Sequence, residues 1–158
     1  MTPAEFSTRI LAPAALAFPF HDTPQSRALL MAVAGVESAW TSRWQEPVAY
    51  ARGFWMCQQN CLNDLLAHPA SGPLLRQFAT DMEIPAGGMF EALAWHDGWA
   101  YACGRALLLT DRAVLPAVSD TDGASEYYRR NWRPGRYDPV RFATRYAEAL
   151  AVSAPAGA

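Results

Sequence analysis

Lysine is absent from this sequence: all 13 basic residues are arginine, which reflects codon composition more than mechanism. Cysteine is scarce and odd in number. Cys57, Cys61 and Cys103 cannot close a disulfide framework, so reduced thiols are expected. Cys57 and Cys61 stand four apart and His68 follows, but no fourth ligand is evident and the spacing fits no common zinc pattern. Neither a metal nor a cofactor is expected. No apolar run is long enough to span a bilayer. The N-terminal stretch 10–20 is cut by Pro13 and Pro19 and preceded by Glu5 and Arg9, which also makes a poor signal peptide. No internal repeat is evident. Charged residues are only 18% and hydrophobic ones 51%, a globular balance that excludes a disordered chain.

The 158 residues suffice for one domain with a proper core, here taken as 1–152 with a frayed tail over 153–158. Twelve prolines and ten glycines point to short elements with frequent breaks. The net charge of −2 argues against a general nucleic-acid binder. That charge is uneven, because 127–145 carries six arginines against one acid, Asp138. Such a run suits either a polyanion or an ordinary solvated helix face.

Helices dominate the reading. Thr2-Pro3-Ala4-Glu5 is a capping box with proline at the first helical position. Thr23-Pro24 repeats the start, and Leu30, Val33, Ala34 and Glu37 then fall at i, i+3, i+4 and i+7 on one face. This second helix is expected over 24–40. Glu37 therefore continues an apolar stripe close to a helix C-terminus. The negative end of the macrodipole and the loss of water both disfavour its anion, and a protonated glutamate near neutral pH is what a general acid requires. The same position also suits a plain exposed Glu at the margin of the stripe. Residues 41–54 have no sustained period and read as a loop with a short strand pair. Further helices are expected over 56–67, after the break at 68–73, over 89–109 with an interruption at His96-Asp97-Gly98, over 123–132, and from Asp138-Pro139 onward. The fold class is mainly α, seven or eight short helices with little or no sheet.

Glu37-Ser38 at a helix end, an irregular loop, and then Gly53-Phe54-Trp55-Met56 form a pattern that resembles the lysozyme-like superfamily, and within it the soluble lytic transglycosylases. Over nearly all of 3–147 the chain looks like short phage- and prophage-encoded proteins of proteobacteria. That resemblance rests on Ala51-Arg52-Gly53-Phe54-Trp55, on His68-Pro69-Ala70-Ser71, on the 106–111 run with Leu115-Pro116, and on Asn131-Trp132-Arg133-Pro134-Gly135. The resemblance implies a lysozyme-like fold and cleavage of peptidoglycan between N-acetylmuramic acid and N-acetylglucosamine. Glu37 would protonate the leaving oxygen and then act as base on the muramyl 6-hydroxyl. No second carboxylate is required where the substrate's acetamido group assists; Glu46 and Asp64 are the nearest acids in sequence for a hydrolytic mechanism.

Ser38, Gly53, Phe54, Trp55, Gln58, His96, Asp97, Trp132 and Arg133 would line the substrate, with Tyr127 or Tyr128 as the cleft tyrosine. Trp95 and Trp99 are further sugar platforms, although a tryptophan is more often core. Two positions depart from the pattern: Met56 replaces the turn's glutamine, with Gln58 and Gln59 following late, and His96-Asp97-Gly98 stands near where an Asn-Ala-Gly block belongs. Two readings follow. One is a phage-type muralytic enzyme; the other is a weak or silent lysozyme-like domain, a virion or tail component or a glycan-binding module. Under either, the protein is made in the bacterial cytoplasm without a signal peptide, and meets the wall after release or as part of a virion. Its partners are glycan strands and, under the second reading, other virion proteins.

Overall fold

A computed structural model describes residues 1–45 and 50–153. Glu46 and the tail beyond Ser153 lie outside them. The chain is mainly helical, and the described residues include one two-stranded sheet. The N-terminal rod joins α1 (Pro3–Phe6) through a π-helical segment (Ser7–Leu11) to α2 (Ala12–Ala17). Thr2 and Glu5 close the capping box as the sequence predicts. The widened turn lies just before Pro13, whose ring has no N–H for the carbonyl four residues back.

Helix α3 (Pro24–Ser38) is the central rod. Thr23 Oγ1 accepts from Ser26 N–H at 3.2 Å, and Ser26 Oγ accepts from Thr23 N–H at 3.0 Å, so a serine completes the box. The expected single apolar stripe is wider in fact: residues 28–35 are all buried. A helix apolar on every side belongs inside a bundle, and α9 (Pro139–Ser153), α7 (Asp97–Thr110) and α8 (Thr121–Trp132) pack around this one.

The helix stops at Ser38, two residues earlier than predicted. Ala39 and Trp40 both adopt left-handed backbone, at φ 50° and 55°. The reversal folds the Trp40 indole back over Gly35, and its Nε1–H donates to the Met31 carbonyl at 2.9 Å. A Cβ on Gly35 would lie 2.4 Å from the ring, so only glycine leaves room for it.

The next segment carries β1 (Ala51–Arg52) antiparallel to β2 (Cys57–Gln58), with Trp44 bridging to Arg52. Between the strands Gly53 takes φ 73°, where a Cβ would meet the Leu93 carbonyl at 2.8 Å. The helix expected over 56–67 therefore begins later, as α4 (Gln59–Ala67). After the break come α5 (Gly72–Asp81), a 3₁₀ turn (Ala86–Gly88) and α6 (Met89–Trp95). His96 separates α6 from α7, as its place in the sequence suggests, because its Nδ1 caps α7 by accepting from Trp99 N–H at 3.1 Å. The core runs from Phe6 through Leu30, Phe54, Leu93 and Trp99 to Phe142. No helix among the described residues is long and apolar enough to cross a membrane.

Candidate active site

Glu37 sits in the last turn of α3, half-buried. Its Oε1 accepts from the Tyr128 hydroxyl of α8 at 2.6 Å. Tyr128 is itself held in an aromatic ladder, stacked on Phe142 at 5.1 Å, which stacks in turn on Tyr146 at 5.8 Å. Tyr137 and Trp132 flank it at 6.4 and 6.3 Å. Arg141 of α9 reaches the same helix end and donates to the Val36 carbonyl at 2.5 Å.

Burial raises the Glu37 pKa above the ordinary carboxylate value, and the Tyr128 hydrogen bond and the Arg141 charge only partly offset it. The Tyr128 hydroxyl is likewise pushed up, by burial and by the carboxylate beside it. Glu37 thus gives up its proton less readily than an exposed carboxylic acid, and its hydrogen-bond partner is a neutral phenol. It can deliver a proton and take one back.

Of the two tyrosines named from the sequence, Tyr128 and not Tyr127 meets Glu37. Successive residues on a helix point about 100° apart, and Tyr127 turns to the other side. There its hydroxyl donates to the Leu108 carbonyl at 3.2 Å, and the Arg130 guanidinium lies over its ring.

Several other candidates hold local structural bonds. The Ser38 hydroxyl donates to the Ala34 carbonyl of its own helix at 2.6 Å. Asp97 pairs with Arg43, one arm of the pair at 3.0 Å. Phe54 is core, packed edge-on to Phe6 at 4.9 Å. Trp99 is fully buried and donates to the Met89 carbonyl at 2.7 Å, whereas Trp95 is 64% exposed.

Trp55 is buried and donates its indole N–H to the Leu30 carbonyl at 2.9 Å, one residue before the carbonyl that Trp40 uses. Its own carbonyl accepts from Trp132 Nε1 at 3.3 Å. Trp55, Gln58, Trp132 and Arg133 line a cavity of about 470 Å³ that also holds all three cysteines. Glu37 is not among its lining residues; Trp132, against Tyr128 on one side and the cavity on the other, stands between the two. Asp64 lies on the cavity wall rather than at Glu37. Among the described residues no group of three or more His, Cys, Asp and Glu is arranged to hold a metal ion.

Most of the arginine-rich segment is engaged by the protein itself. Arg129 pairs with Glu126, Arg130 with Asp111, and Arg145 with Glu148, the last also lying over Trp40 at 4.8 Å. Sequence reasoning did not single out Arg141. Its signal was the Asp138-Pro139 helix start, which puts residue 141 in a first turn with Phe142 and Tyr146 on the buried side.

Comparison of the chain with family models, with curated proteins and with solved structures finds no match.

Proposed function

We propose that this chain is a lysozyme-like protein of phage type that cleaves peptidoglycan between N-acetylmuramic acid and N-acetylglucosamine, with Glu37 as general acid and base. One observation carries the reading: a half-buried glutamate at a helix end, its pKa raised by burial, hydrogen-bonded to a tyrosine fixed in an aromatic wall. Protonated Glu37 gives its proton to the leaving glycosidic oxygen as the bond to C1 breaks. The resulting carboxylate takes the proton of the muramyl 6-hydroxyl as that oxygen closes on C1, or of a water in a hydrolytic variant. Tyr128 donates to the carboxylate in the interval. Trp132 and Arg133, on the cavity side, contact the glycan and its carboxylates. The protein would reach the wall after release from the cell or as part of a virion.

A second reading is favoured by the bonding of Glu37 itself. With Tyr128 on its carboxylate and Arg141 on the neighbouring carbonyl, the end of α3 is clasped to α8 and α9. In a silent glycan-binding or virion component that clasp would be the residue's whole role.

Turnover of purified peptidoglycan by the wild type and by Glu37→Gln separates the two. The amide keeps the size and the Tyr128 contact but has no acidic proton, so the enzyme reading expects a loss of roughly 10²–10⁴ in rate with the fold intact. Mass spectrometry of the products then distinguishes anhydro ends from reducing ends, and Asp64→Asn should cost far less than Glu37→Gln. Equal rates for wild type and Glu37→Gln would refute the assignment. A wild type without cleavage, matched by Glu37→Gln in glycan binding, selects the silent reading.

A further inference from the structure

The cavity behind Trp132 brings together Cys57, Cys61 and Cys103, all with free thiols. Their positions are unequal. Cys57 begins β2 and is 9% exposed; Cys103 lies on α7 at 1%. Cys61 is half-buried and occupies the first turn of α4, where unpaired backbone N–H groups and the positive end of the helix favour a thiolate. Gln58, between them, is extended at φ −89°, ψ 160°, and the chain then turns into the helix. This path sets both thiols on the wall of the same cavity, and the Cys57 thiol donates to the Gln58 carbonyl, 3.5 Å from its sulfur. The neighbouring Cys57 thiol holds Cys61 below the ordinary thiol pKa, whereas Cys61 and burial push Cys57 up. Burial alone does the same to Cys103.

We propose that Cys57 and Cys61 form a redox-active dithiol, with Cys61 as the attacking thiolate and Cys57 as the resolving thiol, that exchanges with small anionic disulfides entering this cavity. A volume of about 470 Å³ admits a peptide-sized disulfide, and Arg133 among the lining residues supplies positive charge for a carboxylate. In the first step the Cys61 sulfur attacks one sulfur of the disulfide R–S–S–R. A Cys61–S–S–R bond forms, the R–S–S–R bond breaks, and the leaving thiolate takes up the proton that Cys61 gave to solvent. In the second step Cys57, losing its proton, attacks the Cys61 sulfur and expels the other thiol, which is protonated in turn. Two protein thiols are oxidised by two electrons and one small disulfide is reduced to two thiols. The new bond ties β2 to the first turn of α4 on the wall that Trp55 shares with Trp132. The proposal does not depend on any role for Glu37.

The test uses the full native chain and oxidised glutathione, quenched with acid and read by intact mass and peptide mapping. The expected product has lost two hydrogens and carries a Cys57–Cys61 link, while Cys103 is alkylated only after denaturation. Cys57→Ser should instead accumulate a glutathione adduct on Cys61, and Cys61→Ser should form neither product. In urea the wild-type chain should lose its preference for the 57–61 link, which ties the result to the fold without relying on a variant. A lasting glutathione adduct on native wild-type Cys61, a link that includes Cys103, or no reaction at any thiol overturns the proposal.

Discussion

Helix α8 touches two carboxylates that stand at the ends of other helices, Glu37 in the last turn of α3 and Asp111 capping the end of α7. Both therefore meet the negative end of a helix dipole. Glu37 is half-buried and receives one neutral donor, the Tyr128 phenol. Asp111 receives Ala113 N–H at 2.9 Å, Asn131 Nδ2 at 2.9 Å and two Arg130 nitrogens at 2.7 and 3.0 Å. Burial wins at Glu37 and raises its pKa. At Asp111 burial pulls the same way but is outweighed by these donors, and the pKa falls. Position at a helix end is common to both, so it does not decide protonation; burial and the charge of the partner do.

The largest effect on this arrangement is expected away from either carboxylate. The end of α3 depends on Trp40 lying over Gly35, so Gly35→Ala must displace a buried indole and should cost about 1–3 kcal/mol in urea unfolding. Gly87→Ala is the control, because no atom lies within 4 Å of a Cβ there and its effect should stay within about 0.5 kcal/mol. Equal effects at the two glycines would remove the packing account of how Glu37 is placed.

The carboxylates themselves should respond to pH with opposite sign. The folded pKa of Asp111 is depressed, so its stabilisation is present above the unfolded value and is lost as pH falls through the folded one. Asp111→Asn should therefore cost about 1 kcal/mol at pH 7, a figure kept low because Arg130 is 46% exposed, and the gap to wild type should close in acid. Glu37 has a raised folded pKa, so the native state holds more protons than the unfolded one and stability falls as pH rises through that window. Glu37→Gln should then be more stable than wild type at pH 7, and this smaller gain should vanish in acid. Urea midpoints across pH for the two variants read both slopes. Parallel slopes would break the contrast.

Much of the helical frame was legible because its signals are local. Thr2 and Thr23, each followed by proline, start helices where their side chains accept from the first turn, and His96 divides α6 from α7 by the same kind of cap. Signals that depend on tertiary contacts were not legible. The left-handed pair Ala39-Trp40 ends α3 because an indole finds Gly35 and the Met31 carbonyl, and no local preference of Ala or Trp predicts that. Strand β2 lies in what reads as the start of a helix, since its pairing partner Ala51–Arg52 is several residues upstream. At the site, the alignment of Glu37 with an apolar stripe was readable, but the choice of Tyr128 over Tyr127 was not. Adjacent tyrosines differ only in helical phase, and that phase is fixed by Phe142 on another helix.

Carbon-detected NMR titration of the Glu37 side-chain carboxyl, in wild type and in Tyr128→Phe, bears most directly on the claim that burial raises the pKa of this group. The wild-type midpoint should lie above the ordinary glutamate value of about 4.3. In Tyr128→Phe it should rise further, because the phenol donates its hydrogen bond preferentially to the anion and its removal leaves burial less opposed. A wild-type midpoint at or below the ordinary value, or a midpoint that falls when the hydroxyl is removed, would contradict the account.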